Sequence, residues 1–264
     1  MNVFDRAALL EGLQRLGLTH MQQVVEHRAE EAAAASSGYL EFLYQLVEEE
    51  LAVRFERYVE TRTRLANFPF RKTLDQFDFA AQPGVDKRAI MDLASMAFIE
   101  RATNVILLGP PGVGKTHLAV GLGTEAIRRG YSVYFIRLED MMQKLIQAYK
   151  EGCFVQKLRV YLKPKLLICD EIGYTTLDRL GSHLFFELVS KRYEKGAMIL
   201  TSNKSYGAWG EIFDDHVIAA AILDRLLHHS LTINIRGESY RLREKLKAGV
   251  LGGIVPPASV DTKA

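Results

Sequence analysis

The chain has 264 residues, of which 48% are hydrophobic and 25% charged, and its formal net charge is +2. That length accommodates one large domain, or one of ordinary size with a smaller appendage. The composition is that of a soluble globular protein, and no apolar run is long enough to cross a bilayer, which sets membrane-spanning roles aside. The N-terminus carries Asp5 and Glu11 and lacks a basic-then-apolar export pattern, so the expectation is a protein that stays in the cytoplasm. Cys153 and Cys169 are the only cysteines, and neither has metal-ligand or C-x-x-C spacing. Both are expected to be reduced, with Cys169 a small core residue. Charge is unevenly divided. Residues 1–50 hold three basic and nine acidic side chains, a net −6, so the remainder carries +8. That asymmetry permits a nucleic-acid partner without requiring one.

In chain order, residues 5–16 place Leu9, Leu10, Leu13 and Leu16 at helical spacing behind a capping Asp5. A second helix is expected near 20–35. After the Ser36-Ser37-Gly38 break, a long amphipathic helix is expected over 39–66, with Leu40, Leu43, Leu46, Val47, Leu51, Phe55 and Tyr58 on its apolar side. Residues 1–67 thus read as a small helical domain. Its exit is basic, with Arg54, Arg57, Arg62, Arg64, Arg71 and Lys72 interrupted by Phe68-Pro69-Phe70. This is either a stripe for a phosphate backbone or the solvated face of an ordinary helix. Gln82-Pro83-Gly84 connects to a second domain expected over 68–248.

One helix is expected over 86–101, then an apolar strand, Val105-Ile106-Leu107-Leu108. Gly109-Pro110-Pro111-Gly112-Val113-Gly114-Lys115-Thr116 follows, and His117 continues into a helix. Strand, G-x-x-x-x-G-K-T and helix together form a phosphate-binding loop in its expected context. Glycines let several backbone N–H groups converge on a polyphosphate, and the helix adds its positive end. Lys115 would reach the β- and γ-phosphates, and the Thr116 hydroxyl would hold Mg²⁺. The bland alternative is a glycine-rich turn beside an accidental lysine.

A second strand is expected at 131–136, then two helices, 139–150 and 154–162, where a simple crossover needs one. The extra helix is an insertion, with Lys144, Lys150, Lys157 and Arg159 as its positive charges. Strands at 165–171, 198–203 and 231–235 alternate with helices at 181–194 and 217–227. This alternation predicts an α/β fold with a five-stranded parallel sheet covered on both faces and a ligand beyond the strands' carboxyl ends. A short helix is expected at 240–247, and residues 249–264, rich in Gly, Pro and small polar side chains, read as a loose tail.

Asp170, ending an apolar strand, has the form of a Mg²⁺-holding acid, and Glu171 that of a general base for water. Asn203 is either a turn residue or an amide that orients the same water. Arg225, in Ile222-Leu223-Asp224-Arg225-Leu226-Leu227, is either half of a local ion pair or an arginine finger reaching a neighbouring subunit's nucleotide.

With the phosphate loop, Leu167-Ile168-Cys169-Asp170-Glu171-Ile172-Gly173-Tyr174, Thr201-Ser202-Asn203 and Gly237-Glu238-Ser239-Tyr240-Arg241 in this order, the chain resembles the AAA+ ATPases of the helicase-loader clade. More closely it resembles the IstB-type helper ATPases of insertion-sequence transposition, a likeness extending upstream through 73–84 and the helical N-terminus. The resemblance implies a Mg²⁺-dependent ATP hydrolase that oligomerises on duplex DNA and assists a transposase. By position it implies Walker A roles for Lys115 and Thr116, Walker B roles for Asp170 and Glu171, sensor 1 at Asn203, the finger at Arg225 and, as nearest candidate, sensor 2 at Arg241. It also places residues 139–162 along a nucleic-acid channel and Phe77 near adenine. Fewer than 30 residues follow the expected fifth strand of the chain, too few for a full helical lid. A DnaC-like helicase loader would share every active-site residue. A small-molecule kinase is disfavoured by Glu171 after Asp170.

Overall fold

The computed structural model describes residues 5–213 and 215–240, so Arg241, the expected 240–247 helix beyond its first residue and the 249–264 tail lie outside the described residues. The chain divides into two compact units, with the division between Arg62 and Thr63.

In the first unit, α1 (Arg6–Arg15), α2 (Thr19–Ala34) and the start of α3 (Tyr39–Leu65) form because each carries apolar residues at helical intervals and an abrupt stop. The Asp5 carboxylate accepts from the N–H groups of Ala7 and Ala8 and so caps α1. The core is small: Leu13, Met21, Val25 and Leu46, with Leu10, Leu18, Val24 and Phe42 against it.

α2 has no cap of its own, and its first turn is completed from α3. Buried Glu50 accepts from the Met21 N–H at 2.8 Å and from Arg54 Nε at 2.8 Å, while Arg54 Nη2 donates to the Gly17 carbonyl at 2.6 Å. The apolar side expected for α3 is corrected here. Leu46 is buried, but Leu40, Leu43, Val47, Leu51 and Phe55 are exposed, Leu40 by 82%. The physical reason is facing: Phe42, Leu46 and Glu50 follow one another at intervals of four and turn toward the other two helices, whereas Leu40, Leu43, Val47 and Leu51 lie on the side of α3 that neither helix covers.

The second unit is a five-stranded parallel sheet ordered β2-β3-β4-β1-β5: β2 is Val133–Arg137, β3 Leu166–Ile172, β4 Ala197–Ser202, β1 Asn104–Leu108 and β5 Ser230–Asn234. β1 and β4 are buried at every position, as strands covered on both faces must be. β2 is an edge strand, and the chain at Ala66 and Asn67 covers part of it. The Phe135 N–H donates to the Ala66 carbonyl at 2.8 Å, and Asn67 Nδ2 donates to the Phe135 carbonyl at 3.1 Å. These bonds tie residues 66–67 to the sheet, so the division falls a few residues earlier than the 67/68 boundary read from sequence.

The single helix expected over 86–101 is two, α4 (Lys87–Leu93) and α5 (Ala97–Glu100). Met96 separates them at φ 66°, a left-handed conformation no helix interior accepts. α6 (Lys115–Arg128) follows β1. A Cβ on its Gly123 would come within 2.8 Å of Ile168 and 2.9 Å of Phe68, so a glycine lets α6 lie directly on β3. Two helices do separate β2 from β3: α7 (Leu138–Lys150) and α8 (Phe154–Leu162). Their Met141, Met142, Leu145, Leu158 and Tyr161 enter the same core as α9 (Arg179–Arg192), α10 (His216–His228) and fully buried Trp209. Among the described residues, no helix is long and apolar enough to cross a membrane.

Candidate nucleotide site

Parallel strands bring their carboxyl ends to one edge of the sheet, and the polar motifs gather there. Between β1 and α6 the loop turns through Gly109, Gly112 and Gly114, all at positive φ. Gly112 is the tightest case: at φ 82°, a Cβ there would come within 2.1 Å of Ser239 Oγ, and one on Gly114, at φ 97°, within 2.6 Å of Phe77 Cε2. Lys115 is buried, and its Nζ donates to the carbonyls of Gly109 and Pro110 at 2.6 and 2.7 Å, which folds the side chain back over its own loop. The loop opens onto a cleft of about 500 Å³, within the range of small-molecule sites. Phe70, Gln76, Phe77, Asp78, Glu171, Thr201 and Tyr240 line it with the loop, as does His117. His117 Nε2 lies 3.0 Å from the Thr73 carbonyl, and burial holds its imidazole below the ordinary histidine range, helped by Lys72.

Across the cleft, the β3–β4 register slips between Cys169 and Ile172. Such a bulge re-aims side chains, and here it separates two adjacent carboxylates. Asp170 is buried, with the Thr116 hydroxyl 3.0 and 3.1 Å from its two oxygens, whereas Glu171, at φ 62°, is exposed on the cleft. A non-glycine residue at that φ is strained and persists where its surroundings fix it.

Thr201 on β4 supplies the fixing. Its hydroxyl donates to Asp170 Oδ1 and accepts the Glu171 N–H at 3.0 Å. Burial pushes the Asp170 carboxyl above its usual range, while Thr201, Thr116 and Lys115 pull the other way. Asn203, just past β4, has a buried Oδ1 without a hydrogen-bond partner among the described residues. Asn203 is not among the residues lining the cleft, and turning its amide over would present the N–H₂ instead.

The residues fit a nucleotide with its divalent cation: a glycine cradle with a lysine for phosphates, and a hydroxyl beside a carboxylate for Mg²⁺. Thr116 and Asp170 would hold the ion, which neutralises phosphate charge when bound. The segment after β5 adds a contact that sequence reasoning left without a role. The Tyr240 N–H donates to the Gly112 carbonyl at 3.0 Å, and buried Gln82 bridges the carbonyls of Val113 and Glu238 at 3.3 and 3.1 Å. Thr201 was also missed; its only sequence signal was its place two residues before Asn203.

Other expected residues lie elsewhere. Arg225 is not among the residues lining the cleft. Its guanidinium sits over the Phe186 ring, 4.7 Å from the centroid, and donates to the Ala221 carbonyl at 3.1 Å. Of the basic stripe, Arg54 is engaged by Glu50 and Gly17, Arg57 donates to Thr19 Oγ1 at 2.8 Å, and Arg62 lies over the Tyr58 ring. Arg64 is exposed, and Lys72 lines the nucleotide cleft. Lys144 and Lys150 on α7 and Arg159 on α8 are exposed, and Lys157 is half-buried.

The family described as IstB-like ATP binding protein matches residues 11–248. The chain belongs to that family. It is 49% identical over 249 residues to the ATP-binding protein of insertion sequence IS21 from Pseudomonas aeruginosa, covering 94% of each chain. It is 50% identical over 235 residues to the IS5376 ATP-binding protein of Geobacillus stearothermophilus, covering 89% of this chain and 94% of the relative. Among solved structures it resembles DnaI, with a TM-score of 0.55 at 21% identity over 63% of this chain and 92% of that one. This IstB-like chain therefore has an α/β P-loop core with the fold of DnaI, preceded by a helical N-terminal region, and it is an ATP-binding protein.

Proposed function

We propose that this IstB-like chain is a Mg²⁺-dependent ATP hydrolase that assembles with copies of itself on duplex DNA and assists the transposase of its insertion sequence. The observation that carries the hydrolytic part is the bulge at Asp170 and Glu171. One carboxylate faces Thr116, where a cation belongs, and the next opens on the cleft, where water enters. A kinase must exclude water, whereas an exposed carboxylate beside the phosphate cradle favours activating it. Lys115 binds phosphate, Asn203 orients the water or the γ-phosphate, and Arg225 acts on a neighbouring protomer's nucleotide. Its position away from the cleft of its own chain supports action in trans. Relatives encoded by insertion sequences support the transposase as partner, and the exposed cations of α7, α8 and Arg64 support contact with phosphates.

The test is phosphate release from ATP with and without duplex DNA over a salt series, beside imaging of the assembly. DNA-stimulated hydrolysis that Lys115→Ala abolishes, and stimulation that weakens as salt rises, are the expected results. A particle that stays single with ATP and DNA and releases no phosphate refutes the reading. Pull-downs against transposase and against a hexameric helicase separate it from a helicase loader.

A further inference from the structure

At the amino ends of the strands, opposite the nucleotide cleft, α9 and α10 terminate beside one another. α9 ends at Arg192 and leads through Tyr193 and Glu194 toward β4, and α10 ends at His228 and leads through His229 into β5. One nitrogen from each of His228 and His229 and one carboxylate oxygen of Glu194 lie within 4.8 Å of one another. We propose that these three side chains bind a divalent transition-metal ion of the zinc class, clipping the end of α9 to the end of α10.

Four observations support a built site. His229 Nε2 and Glu194 Oε1 are 3.3 Å apart, about the spacing of two ligands on one tetrahedral ion with bonds of about 2.0–2.1 Å. The Tyr193 hydroxyl lies 2.6 Å from His228 Nδ1, and the Tyr193 ring stacks on both imidazoles, so an outer partner orients the ligands. Two helix carboxyl ends converge here, and their partial negative charge favours a cation. Two nearby guanidinium groups are directed elsewhere: Arg192 is buried among the carbonyls of Tyr161, Pro164, Lys165 and Ala197, and Arg225 turns back onto Phe186 and Ala221, while the Lys195 ammonium is exposed.

Two imidazoles with one carboxylate suit Zn²⁺, Co²⁺ or Ni²⁺ rather than Mg²⁺ or Ca²⁺, which prefer all-oxygen shells. Water would complete the coordination. Because imidazole binds metal only when neutral, affinity falls as the medium is acidified.

The experiment uses the full chain saturated with Mg-ADP, so that the phosphate site is filled, and titrates Zn²⁺ by calorimetry and Co²⁺ by visible absorption. One equivalent is expected, with Co²⁺ bands free of thiolate charge transfer and with no competition from millimolar Mg²⁺. His229→Gln and Glu194→Gln should each weaken Zn²⁺ binding at least tenfold, and Tyr193→Phe about tenfold or more. Zn²⁺ should raise the Tm of the parent and not of the double variant His228→Gln/His229→Gln, with circular dichroism confirming that each variant is folded. Titrations unchanged by these substitutions, a thiolate band from Cys153, or no binding below about 1 mM would mean an adventitious ion only and overturn the proposal.

Discussion

The two units reach their order by different routes. The ATP-binding unit is held by a continuous apolar core running from the sheet through α7–α10, in which Trp209 and Phe185 are fully buried. Among its described residues the helical unit has four buried apolar side chains, and it relies on a polar latch, Glu50 with Arg54, joining α3 to the turn before α2. The difference teaches that a three-helix segment this lean leaves much of its longest helix uncovered. Leu40, Tyr44, Val47, Leu51 and Phe55 stay exposed along α3 at intervals of three and four residues.

The sharpest way to break the comparison is to damage the larger core. Trp209→Ala should cost about 3–5 kcal/mol, measured by denaturant unfolding, with hydrogen exchange placing the loss in the strands and α9–α10. Thr201→Val swaps a hydroxyl for a methyl of the same shape where it bonds both Asp170 and Glu171. Losing a hydrogen bond to a charged group is worth about 1.5–3 kcal/mol, so kcat for ATP should fall about ten- to hundredfold. Thr201→Ser should restore most of it, and a Val variant as fast as the parent would remove Thr201 from the site's machinery.

In the helical unit, Glu50→Gln should cost about 1–3 kcal/mol, read as faster amide exchange at Met21 and its neighbours. The effect depends on pH. Burial works to raise the Glu50 carboxyl, but the Met21 N–H, Arg54 and the His20 N–H together hold it below its ordinary value. The stabilisation is therefore complete above the ordinary carboxylate range and is lost as pH falls through the lower folded value. Protection of Met21 should fade in that acid window in the parent and not in the Gln variant. The smallest effect is Asp5→Ala, which removes the α1 cap for about 1 kcal/mol, visible as fraying of residues 6–9 by NMR.

The phosphate loop was legible because its chemistry is written in contiguous residues, and the strands because each is a short apolar run stopped by turn residues. Asp170 and Glu171 were legible as a pair. Their opposite orientations were not, since a bulge depends on the register with β4 and not on β3 alone. Thr201 escaped notice for the same reason: its partners are 30 and 31 residues away. The break at Met96 has no Gly or Pro to announce it. On α3 the apolar positions read as one side, but Leu46 turns inward while Leu40, Val47 and Leu51 do not, because periodicity says which residues share a face and not which face a neighbour covers. The basic residues at its end read as charges, and only the folded packing commits Arg54 to Glu50.

A threonine side chain owns a single proton, and at position 201 that proton is committed to Asp170 while the oxygen's lone pair anchors the peptide of Glu171. Loss of this one hydroxyl would therefore free an oxygen of Asp170 and the N–H of Glu171 together. One rotatable side chain thus couples the posture of one acid to that of the other across two hydrogen bonds, with no loop between them.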